Sequence, residues 1–209
     1  MAALLIFGGG GHGRVAAAIA GDVQKWNRIA FADDRHMELA RVADFEVLAG
    51  FDAAADHLKE FTHFFVAVGD NALRLKLLAK HREAGHTAAT LVHPTAWVCA
   101  SATVGDGTLI GPQAVVHTGA RVGVGCIVNT AATVDHDCIL EDGVHLSPGV
   151  HLAGEVKVGR AASIGIGSSV SNRIDIGQNT VIGAGSAVVE PIPGNVTAAG
   201  VPARILKRI

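Results

Sequence analysis

Residues 117 to 151 carry four histidines, His117, His136, His145 and His151, and of these only His136 is followed directly by a carboxylate, Asp137. Imidazole has the side-chain pKa nearest neutrality, so it can take a proton from an amine or a hydroxyl at physiological pH. An adjacent carboxylate holds the ring in one tautomer and favours its protonated form. The pair fits general-base chemistry. Two other readings compete: the four histidines are enough ligands for a zinc ion, and a histidine on an outward turn needs no function. His117 and His151 read as structural or rim residues.

A second stretch suited to chemistry lies near the N-terminus, where Gly8, Gly10 and Gly13 satisfy G-x-G-x-x-G and Asp33 follows 20 residues after Gly13. Glycines let backbone N–H groups approach a polar ligand, and a helix N-terminus favours negative charge. Asp33 and Asp34, ending a strand, can accept from sugar or base donors. A full dinucleotide fold uses two mononucleotide-binding halves, and the segment has room for about one. A sugar nucleotide or sugar is the favoured ligand, with nicotinamide binding and glycines kept for packing as alternatives.

The elements that position these residues follow from two patterns. An aliphatic residue recurs at every sixth position from Val98 to Val188, without a slip, through Val116, Val134, Leu152 and Val170 among others. Four residues after most of them sits a small or β-branched residue such as Ala114, Ala132, Cys138 or Ser168, and glycine often follows directly, as in Val104-Gly105 and Ile164-Gly165. A helix cannot keep every sixth side chain on one face, whereas short strands separated by corners can. The pattern predicts a parallel β-helix of three strands per coil, a coil being 18 residues. His136 then projects outward near a corner, and Gly154, one coil on, leaves space beside it. Cys126 and Cys138 fall on core positions, and all three cysteines, Cys99 included, read as packing residues.

Ahead of the repeat, Ala3 to Phe7 reads as a buried strand, Arg14 to Ala20 as a helix, Arg28 to Ala32 as a strand, Asp52 to Lys59 as a helix and His63 to Val68 as a third strand. Ala72 to Glu83 reads as an amphipathic helix with Leu73, Leu77 and Leu78 on one side, stopped by Gly85. Thr87 to Val92 leads through His93-Pro94 into the first coil. The expected division is a Rossmann-like α/β domain over 1–93 and a β-helix over 94–209.

Four segments together resemble one family: Gly-Gly-Gly-His-Gly near the N-terminus, Val-Gly-Asp-Asn before a helix, Leu-Val-His-Pro-Thr-Ala at the junction, and Val134-Asp135-His136-Asp137-Cys138 in the repeat. Ala199-Gly200-Val201-Pro202-Ala203-Arg204 near the end is similar as well. The chain resembles the sialic acid O-acetyltransferase (NeuD) family of hexapeptide-repeat acyltransferases, which includes PglD-type UDP-4-amino-sugar N-acetyltransferases and perosamine N-acetyltransferases. The resemblance implies a left-handed prism, a homotrimer with active sites between neighbouring prisms, and acetyl-CoA as co-substrate. It implies His136 as general base with Asp137 behind it, where the family often has Glu. It places His145 at the acetyl thioester, and Ile166 and Ala184 along the coenzyme A arm. It places Gly10, Gly11, His12, Asp33, Asp34, Gly69 and Asn129 at the substrate.

On the residues themselves, Gly154 leaves space beside His136 for the acceptor or the thioester, and Arg204 sits in a basic C-terminus that either meets coenzyme A phosphates or is a solvated tail; Gly154 and Gly165 are both assigned to the coenzyme-binding set. The implied reaction is N-acetylation of a nucleotide-linked amino sugar for bacterial surface glycan or glycoprotein synthesis, by direct transfer and without a metal. Sugar O-acetylation is the alternative. A zinc lyase similar to carbonic anhydrases is less favoured, because no two of the four histidines have the five-residue separation of such sites.

Composition bounds these readings. Lys plus Arg total 17 against 19 for Asp plus Glu, with net charge −2, which leaves no basic footprint for nucleic acid. The apolar run Ala2–Phe7 lacks a basic leader and ends at Gly8, so no membrane insertion is expected. Three cysteines without paired spacing fit a reducing, cytoplasmic setting.

Overall fold

The computed structural model describes residues 2–209, and the chain divides into two units, residues 1–91 and 92–209. The first unit is built on β1 (Ala3–Phe7), α1 (Gly11–Val23), β2 (Arg28–Ala32), β3 (Arg41–Val42), β4 (Phe45–Ala49), α2 (Ala54–His57), β5 (His63–Val66) and α3 (Asn71–Glu83). Its sheet runs β3-β4-β2-β1-β5, parallel apart from the β3–β4 pair. β1 is wholly buried, as expected for a central parallel strand with neighbours on both sides. This is the small Rossmann-like α/β unit that the N-terminal motifs predict.

Details differ from the sequence reading. The first helix begins at Gly11, three residues earlier than expected, because the glycines themselves form its first turn. The segment 52–59 is only a four-residue helix, Ala54–His57, continued by a 3-10 turn, Leu58–Glu60. The third strand stops at Val66, and of Thr87–Val92 only Leu91–Val92 is strand, with an isolated bridge from Phe64 to Ala88. The β3–β4 hairpin adds two strands, paired antiparallel, that the sequence pattern does not signal. In α3 the buried face is Arg74, Leu77, Leu78 and His81, an i, i+3, i+4, i+7 stripe, while Leu73 turns outward and is 38% exposed.

The second unit is the prism. Two-residue strands pair in parallel at a constant offset of 18 residues, as in Val115 with Thr133 and Thr133 with His151. The first face runs from Trp97–Val98 to Ala187–Val188, the second from Thr103–Val104 to Asp175–Ile176, and the third includes Leu109–Ile110 to Val181–Ile182. The third face is extended by parallel Val196–Gly200 and antiparallel Ala203–Arg208. The sixth-position aliphatics fill the interior, buried from Ile110 to Val188, with small residues at the next ring. Glycine after an aliphatic answers a close approach: a Cβ on Gly165 would stand 2.7 Å from the backbone of Gly183 in the next coil. Cys126 and Cys138 are buried, and burial pushes the Cys138 thiol up to about 11. Cys99 is only half-buried; its sulfur lies 3.4 Å from the Ser101 hydroxyl, so it is not a core residue.

Candidate active site

His136 and Asp137 lie on the edge between the first and second faces, in the turn joining strand Thr133–Val134 to Ile139–Leu140. Four successive coils turn this corner with one residue in the left-handed backbone region. Here that residue is Asp137, with φ of 58°. The carboxylate of Asp137 is thereby brought 3.0 Å from His136 Nδ1, and the Asp137 N–H donates to the Thr118 carbonyl of the preceding coil. On the other side, the His136 N–H donates to the Asp135 carboxylate at 2.7 Å. The His136 side chain stays 47% exposed. The hydrogen bond to Asp137 holds the imidazole above its ordinary pKa, with lesser help from the charges of Asp135, Asp137 and Glu155.

One coil on, Gly154 is the reason the ring fits. A Cβ there would overlap His136 Nε2 and stand 2.5 Å from Cε1. The imidazole thus occupies the space that a side chain at position 154 would fill, with Nδ1 on the carboxylate. A hollow of about 420 Å³ lined by Asp137, Glu155, Lys157, Arg173 and Asp175 adjoins the carboxylate side. A larger groove of about 710 Å³ on the second face, floored by Ile139 and Ile176 and closed by Pro191–Pro193, contains neither His136 nor His145. Among the described residues no group of three His, Cys, Asp or Glu side chains is placed to hold a metal ion.

The other prism residues singled out from the sequence belong elsewhere on the same chain. His145 is half-buried on the third face, in register with Ile127 and Ser163. Asn129, Gly165, Ile166 and Ala184 follow third-face strands, on the edge between the third and first faces, where Ile166 is 56% exposed. Arg204 is in the terminal hairpin of the third face, 3.5 Å from Glu190. One prism therefore holds the His136 group and the Ile166 group on different edges.

In the α/β unit, the loop from Gly8 to Gly13 separates two jobs for glycine. Gly8 adopts φ of 104°, and a Cβ on Gly13 would strike the Gly8 carbonyl, so both serve the turn and the packing of α1. Gly10, Gly11 and Gly69 have nothing within 4 Å of a built Cβ, leaving their backbone open. α1 starts at Gly10 with no side-chain cap, whereas α3 is capped by Asp70, which accepts from the Leu73 N–H at 2.8 Å. Asp33 is almost fully buried and already engaged: it accepts from the N–H of Gly9, the N–H of Arg35 and the Arg35 guanidinium. The Arg35 guanidinium holds its carboxyl down at about 2. Asp34 is exposed, with Oδ1 accepting from the Phe51 N–H. His12 is half-buried in the first turn of α1, its ring 6.4 Å from that of Phe65.

A left-handed prism of hexapeptide repeats preceded by a Rossmann-like unit, with an outward histidine–carboxylate pair on one edge, defines an acetyl-CoA-dependent acetyltransferase of the hexapeptide-repeat class. Residues 3–81 match the PglD N-terminal domain family. The acetyltransferase domain of PglB from Neisseria gonorrhoeae, solved with acetyl coenzyme A, is 38% identical, superposes with a TM-score of 0.93, and the match covers 98% of each chain. A variant of perosamine N-acetyltransferase from Caulobacter crescentus, in complex with CoA and GDP-perosamine, is 36% identical with a TM-score of 0.91, over 98% of this chain and 97% of that one. The chain belongs to the PglD-type family of sugar acetyltransferases. Serine acetyltransferase from Salmonella typhimurium is 38% identical over 76 residues, and the match spans only 28% of that enzyme's length.

Proposed function

We propose that the chain transfers the acetyl group of acetyl-CoA to the amino group of a nucleotide-linked amino sugar, with His136 as general base. The observation that carries this reading is the half-exposed imidazole held between the Asp137 carboxylate and the bare backbone of Gly154. In the reaction the acceptor nitrogen forms a bond to the thioester carbonyl carbon, and the carbon–sulfur bond breaks. The proton leaving nitrogen passes to His136 Nε2, the ring nitrogen not held by Asp137, and from the imidazolium to the departing thiolate. Backbone N–H groups or His145 stabilise the oxyanion between these steps.

The uncapped start of α1 and the open backbone at Gly10, Gly11 and Gly69 suit the phosphates and sugar of a nucleotide-linked acceptor, and the similar Caulobacter enzyme was solved in complex with GDP-perosamine. Asp34, with its second oxygen free of protein partners in the hydrogen bonds formed here, is the group aimed at the ligand, while Asp33 holds the loop through Gly9 and Arg35. His12 and Asn129 complete the acceptor-binding set, and Gly165, Ile166, Ala184 and Arg204 serve coenzyme A. Because His136 and Ile166 are on different edges of one prism, the site is completed by a neighbouring copy, and a cyclic homotrimer closes that arrangement. The prism and the α/β unit act as catalytic and acceptor-binding domains, in the cytoplasm.

Acetyl-CoA consumption measured against UDP-4-amino-4,6-dideoxy sugars, GDP-perosamine and sialic acid tests the reading. Turnover of a nucleotide-linked amine is expected. Turnover of sialic acid alone would replace N-transfer by O-transfer.

A further inference from the structure

The corner holding His136 differs from the other two in one respect. Each corner repeats a left-handed position through successive coils, at 18-residue intervals, where side chains other than Gly and Asn are strained by roughly 1 kcal/mol or more. Between the second and third faces these positions are Gly107, Gly125, Gly143, Ala161 and Asn179; between the third and first they are Gln113, Ala131, Gly149, Gly167 and Gly185. None is charged. On the His136 edge they are Gly119, then Asp137, Glu155 and Arg173, with φ of 68°, 58°, 62° and 58°. Charged side chains therefore occupy the strained position only along this one edge, in consecutive coils. Asp137 is explained by its bond to His136. The turn itself does not call for the charges of Glu155 and Arg173, since Gly, Ala, Asn or Gln fills the same position at the other corners.

Their geometry ties them to the histidine. The Glu155 N–H donates to the His136 carbonyl at 2.9 Å, and the neighbour of Glu155 is Gly154, on which the imidazole lies. Arg173 Nε donates to Glu155 Oε1 at 3.1 Å, and the Arg173 N–H donates to the Gly154 carbonyl at 3.0 Å. Both side chains line the hollow beside Asp137. Resting on the assignment of His136 as base, we propose that Glu155 and Arg173 are positioning residues that set the charge around His136. Glu155 supplies a negative charge one coil beyond the ring, and Arg173 holds that carboxylate in place and offsets it. The groups facing His136 are Asp135 and Asp137 from its own turn and Glu155 from the next coil; Arg173, Lys157 and Asp175 lie beyond. The turn before contributes the uncharged Thr118 and Gly119.

The two residues carry opposite charge, so their removal shifts the base in opposite directions. The readout is the pH dependence of kcat/KM for acetyl transfer, whose rising acid limb reports the neutral imidazole. Glu155→Gln is expected to move that limb to lower pH, by about half a pH unit for one largely solvated charge in the next coil. Arg173→Gln is expected to move it to higher pH by a similar amount, Arg173→Lys to restore it in part, and the double variant to fall near the wild type. Glu155→Gly and Arg173→Gly relieve the backbone, so their thermal midpoints should be at or above the wild-type value while the limb shifts persist. Limbs that do not move, or that move the same way for both residues, overturn the proposal. The His136→Ala variant separates this failure from failure of the base assignment: if it stays active the base is wrong, and if it is inactive while the limbs stand still only the positioning role is lost.

Discussion

The two units handle polar groups in opposite ways. In the α/β unit the buried polar and charged residues are Asp33, Asn71, Arg74 and His81, whereas in the prism they are only the hydroxyl residues Thr108, Ser168, Thr180 and Ser186. A sheet flanked by helices has depth enough to enclose a guanidinium with its partners. Arg74, 1% exposed, donates to the Val68 carbonyl at 2.9 Å and to Asn71 Oδ1 at 2.7 Å. A prism three short strands around has room for aliphatics and small side chains alone, so only thiols and hydroxyls enter the core, and its histidines and charged groups are forced to faces and corners. There they remain available to ligands. His81 and His136 show the contrast: the first is stacked 4.5 Å from the Phe7 ring and lowered to about 4 by burial, the second is half exposed and raised by Asp137.

The largest effect expected from this contrast is on folding. Arg74→Met leaves the Val68 and Asn71 acceptors without their donor and should cost the α/β unit roughly 3 kcal/mol by denaturant unfolding. It should also weaken acceptor binding through Gly69, whose carbonyl lies 3.5 Å from the same guanidinium. An unchanged unfolding midpoint would mean the buried cation is not holding that loop.

Gly154→Ala should do the reverse, sparing stability and harming catalysis. Its Cβ collides with an imidazole, which can swing away at little cost to the fold but then leaves Asp137. A loss of about 10- to 100-fold in kcat, with an unaltered thermal midpoint, is expected. Full activity in this variant would show that the ring need not lie against the backbone.

The smallest effect concerns His81, whose Nε2 has no hydrogen-bond partner. Its folded pKa is below the ordinary value, so its contribution to stability is complete above about pH 6.5 and is lost as pH falls toward about 4. His81→Leu removes that proton uptake and should stabilise the protein by roughly 1–2 kcal/mol near about pH 5 relative to the wild type, a gain that vanishes above about pH 6.5 and levels off below about pH 4. Equal acid sensitivity of the two proteins would place the titrating group elsewhere.

The same difference in depth explains what could be read in advance. In the prism two residues in six are forced inward, one aliphatic and one small, so the period, the 18-residue coil and the burial of Cys126 and Cys138 followed from spacing. His136 and Gly154 came together because they are one coil apart. In the α/β unit the inward positions depend on where a helix happens to lie on the sheet. Arg74 and His81 look like surface residues in sequence, and Leu73 looks like core, yet the packing of α3 reverses them. The hairpin of Arg41–Val42 and Phe45–Ala49 was too short to leave a pattern. Asp33 was legible as a special residue, but its hydrogen bonds to Gly9 and Arg35 are long-range or conformational facts that composition does not encode. Glu155 and Arg173 carry no signal in the sequence, because what sets them apart is the backbone angle at their corner, which only the fold reveals.

The most direct test is the rate of acetyl transfer by His136→Ala, measured alongside binding of the nucleotide-linked amino sugar. A fall in kcat of about 10²- to 10⁴-fold with acceptor affinity kept is the expected result. Turnover close to that of the wild type would contradict the assignment of His136 as the base.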